Sequence, residues 1–372
     1  MAKTIKCPNC GASVPYQENA TAHECEFCGA DVIQSGIHRA LHINFNPASI
    51  GSPPKIRKII ITALVVPIVL SVIPFILMRS VIPSFTSFKI PGLKQAFSSN
   101  SVVEEIRSFG SEGTGIGMFK DPRAVATDTK DNIFVADYQK GRIQMFDAKG
   151  QYIKEWNLGK KAIIQSLGVD RNGILYASNG GKIHRINTQT GVELPALSNE
   201  KFGYISHFSL RQDGKIVVYS DYTNQLLLLD ANGNLIQATP CKLADYNDDD
   251  SDSVDQLMVN GENKIYILGT FSEKIYHFNE AGKFLNQWGS ESSKDAFNPQ
   301  VGQFSSPLSI ASDGKGHIFV GDMFKSHVFD SNGRGLDTFD IPLPYGMAVN
   351  TQNELVITDS NAKKIHVYRI KI

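Results

Sequence analysis

Across residues 102–372 one short pattern returns six times, and a chain with such a period builds stacked copies of one supersecondary unit. The pattern is a β-forming run that ends on a small or acidic residue. It reads Ile133-Phe-Val-Ala-Asp137, Leu175-Tyr-Ala-Ser-Asn179, Val217-Val-Tyr-Ser-Asp221, Ile265-Tyr-Ile-Leu-Gly269, Ile318-Phe-Val-Gly-Asp322 and Leu355-Val-Ile-Thr-Asp359. The six ends are spaced by 42, 42, 48, 53 and 37 residues. A turn marker follows each of the first five: Asp147-Ala-Lys-Gly150, Thr188-Gln-Thr-Gly191, Asp230-Ala-Asn-Gly233, Asn279-Glu-Ala-Gly282 and Asp330-Ser-Asn-Gly333. Glycine there supplies the positive φ of a hairpin. A third marker, Gly117-Met-Phe119-Lys-Asp-Pro122, is echoed as Gly302-Gln-Phe304-Ser-Ser-Pro307.

Each unit holds about four short alternating strands and no useful helical period, which predicts an all-β fold, a six-bladed β-propeller. The sixth unit ends at its third strand, Ile365-His-Val-Tyr368. The missing outer strand is found at the other end, Val102-Val-Glu-Glu-Ile-Arg-Ser-Phe109, which matches Gln151-Tyr-Ile-Lys-Glu-Trp156 and Lys283-Phe-Leu-Asn-Gln-Trp288. The first strand of the array is therefore expected to close the last blade and remove an exposed sheet edge.

These residues resemble the NHL-repeat family. The first unit carries the resemblance best, through Gly117, Phe119, Pro122, Ala124 to Asp128, Asn132 to Asp137, Arg142, Phe146, Asp147 and Gly150. The fifth is close; the second to fourth are degenerate, with Lys182, Gln225 and Lys274 where the repeat has Arg. The resemblance covers about 270 residues and implies a fold rather than one activity, since such propellers host binding modules and a few enzymes. It further implies binding at one mouth of the central channel.

Counting nine residues back from the six strand ends gives Asp128, Asp170, Gln212, Asn260, Asp313 and Asn350, and five further back Arg123, Gln165, His207, Asp255, Leu308 and Tyr345. Both rows are placed near the channel mouth, one residue per blade. Arg123, Gln165, His207, Asp255 and Tyr345 are the candidate ligand-binding residues. Asp137, Asp221, Asp322 and Asp359 are read as structural. The acidic segment 245–255 has the oxygens calcium prefers but lacks the glycine and bidentate glutamate of an EF-hand loop, so it is read as a solvated loop, with Ca²⁺ as the lesser reading.

Ahead of the array, Cys7-Pro-Asn-Cys10-Gly and Cys25-Glu-Phe-Cys28-Gly form a doubled C-x2-C pattern. Four thiolates suit tetrahedral Zn²⁺, and so short a segment has no other source of folding energy. Two disulfides or a redox pair are the alternative. The stretch resembles the short zinc ribbons at the N-terminus of many prokaryotic membrane proteins, with Cys7, Cys10, Cys25 and Cys28 as structural ligands. Residues 59–78 contain no charge over 20 residues, the length of a bilayer core of about 30 Å. The organisation expected is thus 1–33 zinc ribbon, 34–58 linker, 59–78 single transmembrane helix in contact with lipid, 79–101 tether and 102–372 propeller. Lys55, Arg57 and Lys58 place the N-terminus in the cytoplasm and the propeller outside it.

Lys and Arg number 37 and Asp and Glu 37, so nothing in the charge favours nucleic acid as a partner. No three-histidine set and no Ser-His-Asp set is signalled, and no catalytic residue is assigned. The expectation is a membrane-anchored binding, sensing or assembly module, not an enzyme. Its propeller takes a protein, peptide, glycan or small ligand, and its zinc ribbon is open to a cytoplasmic partner. The alternative is a metal-dependent propeller lyase or lactonase.

Overall fold

The computed structural model describes residues 4–6, 13–15, 22–24, 31–33 and 102–372, the last without 139–140, 160–161, 199–204, 206, 247–251, 270, 293–298 and 342. The chain divides into two compact units, Met1–Ile90 and Pro91–Ile372. In the first, Thr4–Lys6 pairs antiparallel with Ser13–Pro15, and Ala22–Glu24 with Asp31–Ile33. The four cysteines, the linker 34–58, the apolar run 59–78 and the tether 79–101 lie outside the described residues.

The second unit is a six-bladed all-β propeller. From inner to outer strand, blade one is Pro122–Thr127, Ile133–Asp137, Arg142–Phe146 and Tyr152–Asn157. Blade two is Leu167–Val169, Ile174–Asn179, Lys182–Asn187 and Glu193–Leu197. Blade three is Phe208–Leu210, Ile216–Ser220, Gln225–Leu229 and Leu235–Pro240. Blade four is Val254–Val259, Ile265–Gly269, Ile275–Phe278 and Phe284–Trp288. Blade five is Pro307–Ser312, Ile318–Asp322, Ser326–Phe329 and Gly335–Phe339. Blade six is Pro344–Val349, Glu354–Asp359, Lys364–Ile370 and, from the far end of the array, Val103–Phe109. That closing strand pairs Ile365 with Phe109 and Ile370 with Val103, and Arg107 reaches Glu354 at 2.8 Å. First strands of consecutive blades touch in cyclic order, the sixth returning to the first, so the ring is closed.

The core follows from the period of two. Second strands are buried on both faces because each blade is packed between two others. In blade one, Phe134 and Ala136 enter the apolar layer shared with blade two, and Ile133 and Val135 enter the layer shared with blade six. The same division recurs around the ring, giving one layer for every adjacent pair of blades. The outer strand of blade one, Tyr152–Asn157, alternates half-buried and exposed positions.

The expected membrane placement is corrected. Among the described residues no α-helix occurs, and no helix is long and apolar enough to cross a membrane; a 3₁₀ turn, Leu243–Tyr246, is all the helix described. An apolar run of spanning length is a necessary condition for an anchor, not a sufficient one, and Pro67 and Pro74 each remove a backbone donor from this run. The single-pass assignment, with its cytoplasmic N-terminus and extracytoplasmic propeller, does not stand.

Candidate functional site at the channel mouth

The inner strands of four blades begin with the same irregularity. Pairing with the second strand slips between Pro122 and Ala124, Val254 and Gln256, Pro307 and Ser309, and Pro344 and Gly346. One extra residue is left at each slip: Arg123, Asp255, Leu308 and Tyr345. A bulge of this kind bends the strand and re-aims the extra side chain. Here it turns four side chains away from the interblade layers and onto the channel mouth.

These four join Gln165, His207, Tyr138 and Gln256 around a cavity of about 140 Å³. The channel below forms a second cavity of about 240 Å³, lined by inner-strand residues such as Ala126, Gly168, Leu210, Met258 and Ala348. Gln165 and Gln256 line both. The Gln256 amide spans blades: Nε2 donates to the Tyr345 carbonyl at 3.3 Å and Oε1 accepts from the Ile310 N–H at 3.2 Å. It forms a partial floor between the two spaces.

The charges of the mouth are unevenly matched. The Arg123 guanidinium lies 4.3 Å from the centre of the Tyr138 ring and 4.6 Å from that of Tyr345, and its Nε donates to both Asp121 oxygens at 3.0 Å. Aromatic faces and a carboxylate together hold it rigidly. Asp255 has no hydrogen bond or ion pair among the described residues, and burial pushes its carboxyl up to about 6. His207 is 8% exposed, approaches Ser166 Oγ through Nδ1 at 3.4 Å, and is pushed down to about 4 by burial. At neutral pH the mouth therefore holds a guanidinium paired with Asp121, a carboxylate without a partner among the described residues and a neutral imidazole.

The other predicted row lies elsewhere. Asp128, Asp170, Asn260, Asp313 and Asn350 follow the inner strands at their far ends, where each side-chain oxygen accepts backbone N–H groups two and four residues on. They are Asx turns, not mouth residues. The third residue after each takes positive φ, as Asp131, Gly173, Asn263, Gly316 and Asn353 do. In blade three Arg211 holds the turn position and Gln212 is displaced by one. Its second strand ends at Ser220, and Asp221 falls exposed beyond it. Counting from Asp221 therefore placed His207 one step further along its strand than Arg123 or Asp255, level with Gln256.

Asp137, Arg142, Asp322 and Asp252 serve the scaffold. Asp137 accepts from the Lys120 and Asp121 N–H groups and pairs with Arg142 at 2.7 Å, while Arg142 donates to the carbonyls of Thr114, Gly115 and Met118. Asp322 accepts from the Ser305 and Ser306 N–H groups. In the acidic segment, Asp252 accepts from the Phe271 N–H and from the Tyr276 hydroxyl at 2.7 Å, while Asp255 faces the mouth. Among the described residues no group of three or more His, Cys, Asp or Glu converges. Cys241 is fully buried, and burial pushes its thiol up to about 12.

Tyr138 and Gln256 escape the repeat count. Tyr138 comes from the residue after the second strand, and Gln256 is the neighbour of a counted position. Only the bulge, invisible in a single sequence, turns both it and Asp255 toward the same space.

No family model matches the chain. It is similar to Protein brain tumor of Drosophila melanogaster, with 24% identity over 144 residues, which is 36% of this chain and 14% of that protein. The chain thus spans a small part of that relative's length. Among solved structures it is similar to a structural genomics protein of unknown function from Bacteroides thetaiotaomicron. The TM-score there is 0.56 with 13% identity, covering 72% of this chain and 75% of the other. That likeness concerns the fold.

Proposed function

We propose that this chain is a binding or assembly module whose propeller, of NHL type, takes its ligand at the channel mouth. The observation that carries this reading is the cavity itself. The ring position of each blade except the third supplies a side chain to it, His207 stands in for blade three, and Asp255 is held there without a partner among the described residues. An ionisable group drawn partly out of water with its pKa displaced by burial is unfavourable for folding, and such groups are concentrated at sites that complete themselves with a ligand. The test is a ligand screen by thermal shift on wild-type chain and on His207→Ala, Asp255→Ala and Tyr345→Ala. Ligands that stabilise wild type should lose that effect in the ring variants while the variants still melt cooperatively. A ligand that stabilises all four chains equally contradicts the site. The metal-dependent lyase or lactonase reading draws no support from the residues that meet at the mouth.

The doubled cysteine pattern supports a Zn²⁺ site held by Cys7, Cys10, Cys25 and Cys28. Each cysteine pair lies in the connection of a two-stranded antiparallel hairpin, Lys6 opposite Ser13 and Glu24 opposite Asp31. Paired strands on either side of each C-x2-C in the sequence suit a structural site, and four thiolates suit tetrahedral Zn²⁺. Metal analysis of the full chain should find about one zinc, lost in Cys25→Ser; a metal-free, folded wild type would remove the proposal.

A further inference from the structure

We infer that the mouth cavity binds a small zwitterion of the amino-acid class, its ammonium at Asp255 and its carboxylate at Arg123. The inference rests on the mouth being the ligand site and specifies what it selects.

Arg123 belongs to blade one and Asp255 to blade four, which are opposite in a ring of six. Both line the same cavity, yet they form no ion pair within 4.0 Å. Two opposite charges held apart across a small space are complementary to a molecule that carries both. Arg123 is fixed by the rings of Tyr138 and Tyr345 and by Asp121 at Nε, while its terminal nitrogens make no hydrogen bond among the described residues. Those nitrogens form the planar fork that a carboxylate accepts in bidentate fashion. Asp255 lacks any such partner among the described residues and is ionised above about pH 6.

Single charges fit less well. An anion bound at Arg123 leaves Asp255 unmatched and is repelled by both Asp255 and Asp121, and a cation at Asp255 leaves the outer edge of the Arg123–Asp121 pair without an acceptor. His207, neutral at pH 7, adds no charge to either end. The volume also accommodates such an occupant. About 140 Å³ is close to that of the engineered cavity of about 150 Å³ that takes benzene, so the mouth has room for a core of about six non-hydrogen atoms. Leu308 offers the one aliphatic wall between polar neighbours, fitting a short carbon chain joining the two charged groups.

The experiment is isothermal titration of the full chain at pH 7.5 with glycine, alanine, serine and β-alanine. Ethylamine and propanoate serve as single-charge controls and glycerol as a neutral one. At least one zwitterion is expected to bind, with ethylamine and propanoate weaker by about tenfold or more. Asp255→Asn and Arg123→Gln should each weaken the zwitterion by about tenfold or more, the factor that corresponds to losing about 1.4 kcal/mol. A panel without binding at millimolar concentration overturns the inference, as does a single-charge control that binds equally well. Glycerol or a control bound at the mouth and lost in Tyr345→Ala would sink the zwitterion alone and leave the ligand site standing. A zwitterion bound undiminished by both charge variants would sink the two together.

Discussion

Asp255 shows how a single residue can work against its own fold. Its carboxyl holds a proton up to about pH 6 in the folded chain, against 3.8 ordinarily. Between those values the folded state binds more protons than the unfolded one, so stability falls as pH rises and the full deficit is present above about 6. A shift of this size corresponds to up to about 3 kcal/mol, lessened because the residue is only half-buried. His207 runs the other way: lowered to about 4 from 6.5, it contributes stability that is lost as pH falls from 6.5 through 4. The two slopes oppose each other between about pH 4 and 6. Asp255→Asn is therefore expected to raise stability by about 1–3 kcal/mol in urea denaturation at pH 8 and to unmask the histidine's acid sensitivity. A carboxylate that merely held structure would give a loss instead. The residue types of the mouth were readable by counting in blades one, two, four, five and six. They were misplaced by one in blade three because the second strand there is Ile216–Ser220, one residue earlier than the run ending at Asp221, and a count from strand ends carries that offset inward.

Among elements, the hairpin glycines illustrate two demands at one position. The sequence reveals the first, positive φ, seen at Gly150, Gly191, Gly233, Gly282 and Gly333. The second is steric and comes from the neighbouring blade. A Cβ on Gly333 would lie 2.4 Å from the Trp288 ring at the end of blade four's outer strand, and one on Gly150 would lie 2.5 Å from Phe109 on the closing strand. Neighbouring blades thus meet through an outer-strand side chain laid over a glycine turn. Gly333→Ala should lose about 1–2 kcal/mol from the left-handed backbone alone and more from displacement of Trp288, measured by urea denaturation. Gly191, with nothing near its Cβ position, should lose only the backbone part. Equal losses at the two sites would contradict the interblade contact. The bulges belong to the same scale. They were illegible because these inner strands carry no strict alternation against which a one-residue shift could be read, yet they turn Arg123, Asp255, Leu308 and Tyr345 toward one another.

At the scale of the whole molecule, six units and their closure were legible because both depend on self-similarity. The outer strand absent after the sixth unit was recognisable as Val103–Phe109 through its likeness to the strands ending at Trp156 and Trp288. Membrane placement was misread because it rested on hydropathy alone, without a partner element to test it. What closure produces is a channel whose two ends differ. Asx turns satisfy their own backbone at one end, while at the other a ring of bulged side chains leaves Asp255 unsatisfied. The most direct test of that asymmetry is a crystal structure of the chain soaked in the best-bound small zwitterion. The account predicts density in the mouth cavity, with a nitrogen within hydrogen-bond distance of Asp255 and an oxygen facing Arg123. Density confined to the turn end of the channel, or a mouth holding only solvent at saturating ligand, would contradict it.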